Sequence, residues 1–185
     1  MMGVGKSGII LALTAAAATM AFAQTRQVEP TSALKGHNSN APVDVTAERI
    51  EVQDRADRAI FAGNVHVVQA ELTLDTPRLT VAYSGGAGAN SNVQIRRLDA
   101  AGGVVVKSPS ETAKGDFGIY DLDRKLITLI GNVQLNREQN QVNGARLVID
   151  LDTGRAVVDG GPPGVNQSGG RVSGHFTVPQ RQQTK

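Results

Sequence analysis

Four glycines set a period along this chain. Gly102, Gly131 and Gly160 stand 29 residues apart, and Gly63 precedes Gly102 by 39, which is one period plus ten. The extra ten fit the low-complexity stretch 84–92 (Ser-Gly-Gly-Ala-Gly-Ala-Asn-Ser-Asn), which reads as a loop insertion. With that loop set aside, units begin near Val45, Leu74, Ala113 and Val142. Arg49-Ile50, Arg78-Leu79 and Arg146-Leu147 then coincide, as do Val52, Val81, Tyr120 and Ile149. Beyond the glycine come Val65, Val104 and Val133, followed by Val67, Val106 and Leu135. Ahead of it lie Phe61, Ala100, Leu129 and Val158. A unit this short cannot bury its apolar face alone, so successive units must stack and share one interior.

Within each unit the apolar period is two. Ile50/Val52, Leu79/Val81, Leu147/Ile149 and Val65/Val67 alternate with polar or charged neighbours, the signature of half-buried strands. Asp/Gly clusters at residues 54–57, 121–124 and 152–154 separate the apolar runs and read as hairpin turns. Residues 46–57 have a helix-like composition, but their repeat partner is strand-like, and the repeat decides for strand. Each unit is therefore two long or four short strands. The repeated glycine permits a bulge or sharp corner, which would let each layer fold into a V or a flattened loop. Unit three departs from the register, with Phe117 and Ile119 out of phase with Ile50; unit four breaks into Pro-Pro-Gly at 162–164.

The ends differ from the middle. Residues 1–23 carry Lys6, a short apolar stretch and Ala-Phe-Ala at 21–23, a secretory signal pattern with cleavage expected before Gln24. Gly5-Lys6-Ser7 imitates the end of a phosphate-binding loop but lacks the earlier glycine and the preceding strand. Residues 24–42 read as a flexible leader, 43–165 as the repeat domain and 166–185 as a flexible tail. The chain holds 19 basic residues, of which Lys6 falls in the signal, and 17 acidic ones, with the two signs interspersed. That balance gives no footprint for nucleic acid or an anionic membrane surface. With no cysteine, a domain in an oxidising compartment must hold by burial and hydrogen bonding. Four Phe, two Tyr and no Trp give few platforms for sugar rings or unstacked bases.

Reactive side chains do not gather. His37, His66 and His175 show no metal-ligand spacing, and alternation turns His66 away from the Val65/Val67 face. Asp121/Asp123 and Asp150/Asp152 fall where turns are expected, which is the ordinary place for such aspartates. The glycine run at 85–88 resembles a calcium-binding β-roll but lacks its aspartate and occurs once. There is no Gly-x-Ser-x-Gly elbow and no cysteine nucleophile. The expectation is a protein that is not an enzyme, with no catalytic residue, no metal and no cofactor.

Residues 50–67 (Ile-Glu-Val-Gln-Asp-Arg-Ala-Asp-Arg-Ala-Ile-Phe-Ala-Gly-Asn-Val-His-Val) carry a family pattern: an alternating strand, an Asp-rich turn, then Gly-Asn-Val and alternating apolars. The pattern recurs at 119–135, and residues 43–48 (Val-Asp-Val-Thr-Ala-Glu) are similar to the family's first strand. The stretch 41–160 thus resembles the LptA/OstA-like family of periplasmic lipopolysaccharide transport proteins. The resemblance implies an all-β fold, a twisted antiparallel β-jellyroll of V-shaped layers with open end strands. It implies an interior that receives the acyl chains of lipid A. It also implies edge-strand pairing with LptC-like inner-membrane and LptD-like outer-membrane proteins, and head-to-tail self-association. From the repeat alignment, Ile50, Val52, Phe61, Val65, Val67, Leu79, Val81, Val104, Val106, Leu129, Val133, Leu135, Leu147 and Ile149 are expected to face inward and line the lipid-binding groove. An LptC-like role in the same pathway, a structural β-repeat scaffold of the envelope that binds no lipid and an enzyme on a β-helix stay as alternatives. The first normally keeps an N-terminal anchor, and the last needs a charged cleft that the sequence does not show.

Overall fold

In the computed structural model, Leu34 and residues 37–85, 93–161 and 170–178 are described. The expected signal, most of the expected leader, the glycine-rich insertion beyond Gly85, the Pro-Pro-Gly break and the chain beyond Val178 lie outside these residues. The described chain is almost wholly strand: β1 Asp44–Thr46, β2 Arg49–Gln53, β3 Arg58–Gln69, β4 Leu72–Ser84, β5 Gln94–Lys107, β6 Glu111–Asp121, β7 Leu126–Arg137, β8 Asn140–Asp150, β9 Arg155–Asp159 and β10 Ser173–His175. A 3-10 turn at Asp54–Ala56 joins β2 to β3, within the expected 54–57 turn.

All ten strands belong to one antiparallel sheet that does not close. From β3 to β8 each strand pairs with its predecessor and its successor. At the N-terminal end the short strands β1 and β2 share the two halves of β3. At the C-terminal end β9 and β10 divide β8 in the same way. Among the described residues, two edges therefore keep one side of their ladders unpaired.

Each long strand is interrupted at its middle, and the interruptions stack. The registers shift between Ala62 and Val65, Asp75 and Arg78, Ala101 and Val104, Lys114 and Phe117, and Ile130 and Val133. Three of the four period-setting glycines stand in this column, and all three have positive φ: Gly63 at 82°, Gly102 at 94° and Gly131 at 78°. Such a conformation is costly for residues with a Cβ, which explains why the glycine recurs with the unit. Asn64 and Asn132 follow in the left-handed region at φ 43° and 44°, a conformation asparagine tolerates better than most. An acid from the preceding strand or its approach fastens each pair: Asn64 donates to Glu48, and Asn132 Nδ2 donates to Asp116 Oδ2 at 2.7 Å. The corners split the sheet into two arms. One carries the N-terminal half of β3 and the C-terminal half of β4; the other carries their remaining halves, and the pattern repeats along the stack.

The arms enclose a continuous apolar core. Leu79, Leu129 and Leu147 are wholly buried, Val65, Val104 and Ile149 are 1% exposed, and Leu98, Ile127 and Val133 are 2% exposed. The departure of unit three has a steric cause. Gly118 occupies the inward position that Leu79 and Leu147 hold elsewhere, and a Cβ there would lie 3.1 Å from both Leu129 Cδ2 and Val104 Cγ1. Phe117 consequently points outward and is more than half exposed.

Two parts of the chain read as flexible ends contribute to this body. Leu34 and His37, in the range assigned to the leader, are buried. Ser173–His175, in the range assigned to the tail, pair with Asn143, Val142 and Gln141 of β8. Both gain hydrogen-bonding or apolar partners that are distant in sequence, and local composition does not report those.

Candidate functional site: an apolar interior with a clasped mouth

The arms meet face to face. Val67, Leu72, Leu74 and Val106 from one arm and Leu98, Tyr120, Ile127 and Leu129 from the other line a shared seam whose free volume is about 20 Å³. That is roughly the room of one water molecule, so the interior is shut in this conformation.

The expected groove positions fall into three groups. Val65, Val67, Leu79, Val81, Val104, Val106, Leu129, Val133, Leu147 and Ile149 are buried in one cluster. Phe61 and Leu135 are partly buried against it. Ile50 and Val52 depart from enclosure, each 56% exposed. The cause is position in the sheet rather than phase. Ile50 is opposite Phe61, and Val52 is opposite Ala59, and directly opposed residues share a face. Their side chains continue the apolar inner face to the N-terminal edge, where no further strand among the described residues covers them.

The mouth of the V, opposite the corners, holds a polar cluster that the repeat pattern did not identify. Gln69, 3% exposed, ends β3 on one arm; Tyr120, 4% exposed, is near the end of β6 on the other. The Tyr120 hydroxyl donates to Gln69 Oε1 at 2.9 Å, and His37 Nε2 lies 3.2 Å from the same oxygen. Gln69 Nε2 donates to the carbonyls of Ser39 and Ala41, both at 3.0 Å. The amide is thereby satisfied at both ends, as a buried polar group requires. Burial raises the Tyr120 pKa above its usual 10.0, only partly offset by a hydrogen bond with the Ser39 side chain. Beside this cluster, Leu34 is seated among Val106, Ala113 and Leu135 of one arm and Ile149 of the other. A signal for Gln69 was present: it continues the inward phase of Val65 and Val67. Leu34 belongs to no periodic run and gave none.

His66 and the turn aspartates Asp121 and Asp150 have structural partners. His66 points outward and meets Asp75, with Nδ1 to Oδ1 at 2.6 Å, and Lys107 reaches the other Asp75 oxygen at 2.9 Å. Hydrogen bonds from His66 first, then from Lys107, hold the Asp75 pKa below its ordinary value. Asp121 Oδ1 accepts from the Arg124 backbone at 2.9 Å. Asp150 Oδ1 accepts from the Asp152 and Thr153 backbones at 3.0 Å, and the Thr153 bond is the main reason its pKa falls. Both are turn aspartates. His175 is exposed in β10. Among the described residues no three His, Asp or Glu side chains group as metal ligands, and no helix is long and apolar enough to cross a membrane.

An unclosed antiparallel jellyroll around one apolar seam is the class this geometry defines. Residues 44–155 match the family model for the LptA/(LptD N-terminal domain) lipopolysaccharide transport protein. The chain belongs to that family. The fold is similar to the crystal structure of LptH, the LptA-homologous periplasmic component of the lipopolysaccharide transport device of Pseudomonas aeruginosa. That likeness has a TM-score of 0.64 at 17% identity and covers 77% of this chain and 99% of the other. An uncharacterized protein of Rhizobium meliloti (strain 1021) is 34% identical over 125 residues, covering 66% of this chain and 67% of that protein.

Proposed function

We propose that this protein is a periplasmic carrier that binds lipopolysaccharide through the acyl chains of lipid A and bridges the inner- and outer-membrane components of the transport path. The observation that carries this reading is the inner face itself, which stays apolar up to the open edge, where Ile50 and Val52 are each 56% exposed. An exposed apolar pair is a poor end for a self-contained core but a fitting surface for a further module and for a lipid passing between modules. Burial stabilises an acyl chain by ~0.8 kcal/mol per methylene, so several chains would hold a glycolipid firmly once the arms part. The ladders left open beyond β1/β2 and β9/β10 suit strand addition. Their partners would be an LptC-like protein, an LptD-like protein and further copies of this chain, joined head to tail. The carrier role uses no catalytic group or cofactor, so the energy for directional movement comes from its partners.

A scaffold that binds partners only by its edges is the competing reading, favoured by the closed seam of about 20 Å³. Lipopolysaccharide binding by the exported chain decides between them. Saturable binding that is lost in Val67→Glu, and weakened in the exposed-site variants Ile50→Glu and Val52→Glu, supports the carrier. No binding by folded wild type supports the scaffold. The two edge variants do not disturb the buried core, so their folding is independent of the outcome.

A further inference from the structure

We propose that a second copy of this chain adds to the sheet in one register, set by Arg49 meeting Asp159 on one arm and Asp44 meeting His175 on the other. The proposal rests on the head-to-tail reading above and names the residues that fix the junction.

Cross-strand partners can be followed from one edge of the sheet to the other. On the first arm, the row nearest the corners begins at Arg49 on β2 and ends at Asp159 on β9. On the second arm, one outward-facing row begins at Asp44 on β1 and ends at His175 on β10. The two ends of each row are complementary: guanidinium and carboxylate, then carboxylate and imidazole. Strand directions agree as well. β2 runs away from the corner and β9 toward it, whereas β1 runs toward the corner and β10 away from it. A copy placed edge to edge with its corners in line therefore continues the antiparallel ladder on both arms at once.

The same alignment sets the rest of the edge. Ile50 and Val52 of the incoming copy fall opposite Val158 and Ala156, where their own rows end, so the apolar inner face runs on across the junction. A slip of one residue would turn Ile50 and Val52 to the outer face. A slip of two residues one way sets Glu51 against Asp159, and like charges directly opposite are destabilising. A slip of two the other way sets Asp44 against Ser173. Either two-residue slip breaks both charged pairs.

The four groups are within reach of a partner. Asp44 and His175 are exposed. Uncharged Gln141 of β8 stands opposite His175. The Arg49 side chain is 76% exposed and lies 3.6 Å from Glu51 of its own strand. Asp159 meets Arg146 at 3.1 Å and keeps 45% of its side chain exposed. Arg49 of the next copy would extend that row as Arg146, Asp159, Arg49, alternating in sign.

Sedimentation velocity of the exported chain measures self-association in wild type, Arg49→Asp, Asp159→Arg, the equimolar mixture of these two and the double variant. Melting temperatures check that each variant is folded. The register predicts association in wild type and about tenfold weaker association for each single reversal. It predicts recovery in the mixture and in the double variant, because each restores a cation opposite an anion. Association that single reversals leave unchanged, or that neither mixture nor double variant restores, overturns the register and leaves head-to-tail joining standing. Absence of association in folded wild type overturns both. The second arm is tested through thiols, since the chain has no cysteine. Directly opposed Cα atoms lie about 4.5–5.5 Å apart, within the roughly 7 Å that a disulfide spans, and a two-residue offset exceeds that span. Asp44→Cys/His175→Cys should therefore cross-link end to end under mild oxidation, and the offset pair Asp44→Cys/Ser173→Cys should not. Equal or faster cross-linking of the offset pair contradicts the register.

Discussion

Tyr120 and Gln69 stand on opposite arms of the V, and the tyrosine hydroxyl donates to the glutamine Oε1 at 2.9 Å across the mouth. The same glutamine carries the two carbonyl bonds that hold residues 39 and 41. One amide thus couples closure of the arms to seating of the N-terminal segment.

Tyr120→Phe removes one donor and leaves Gln69 Oε1 facing His37, so a loss of about 1 kcal/mol of unfolding free energy is expected. Gln69→Ala removes the Tyr120 hydroxyl's acceptor and the amide donor to both carbonyls, and is expected to cost about 2–3 kcal/mol. Denaturant unfolding of both single variants and the double variant tests the coupling. Strict additivity would show that the two side chains do not act together.

Alkaline pH should loosen the same clasp. The Tyr120 pKa is raised by burial, so the folded state retains the phenolic proton more strongly than the unfolded chain. Its contribution is full below the unfolded value of 10.0 and is lost as pH rises through the folded value. A thermal-unfolding series from pH 8 upward should show wild type declining more steeply above about pH 10 than Tyr120→Phe. Superimposable curves would contradict this.

The corners predict a graded response to glycine substitution. At Gly131 an added Cβ meets Asp116 as well as a φ of 78°, whereas at Gly103 the φ is 97° with nothing within 4 Å. Gly103→Ala should therefore cost only backbone strain, about 1–2 kcal/mol. Gly131→Ala should cost more, because it also displaces the acid that holds Asn132. Measured chemical denaturation midpoints in the reverse order would sink this account of the corner.

Core and edge positions of the inner face should separate stability from binding. Leu147→Ala, at a fully buried site, should lower stability by about 2–5 kcal/mol through loss of contacts and a residual cavity. Ile50→Ala, at a site 56% exposed, should leave stability within about 0.5 kcal/mol while weakening lipopolysaccharide binding or self-association. A large melting-temperature change in Ile50→Ala would show that the edge face is already covered.

Much of this architecture was legible in the sequence because it depends on local, repeated constraints. The period of Gly63, Gly102 and Gly131 marks backbone conformations that a Cβ disfavours, and the alternation around Val65, Leu79 and Leu147 marks which face is enclosed. Even the irregularity at Phe117 was visible, although its cause, the crowding of Gly118 by Leu129 and Val104, required the neighbouring strands. Other features depended on contacts that no local period records. Ile50 has the same phase as Leu79, but an end strand leaves it uncovered. Leu34 and His37 are surrounded by polar, small residues and gain burial only because the arms leave a mouth to fill. Gln69 lay at an inward phase, yet a polar residue there reads as a strand end until Tyr120 is seen opposite it.

The most direct test of the carrier account is site-specific photocrosslinking to lipopolysaccharide in intact cells, comparing a photoreactive residue at Val67 with one at His66. These neighbours share the same strand and depth along the sheet but point to opposite faces: Val67 is 4% exposed, and His66 faces Asp75 outside. The account predicts lipopolysaccharide adducts from position 67 and few or none from position 66. Equal labelling from the two positions would contradict an interior lipid path.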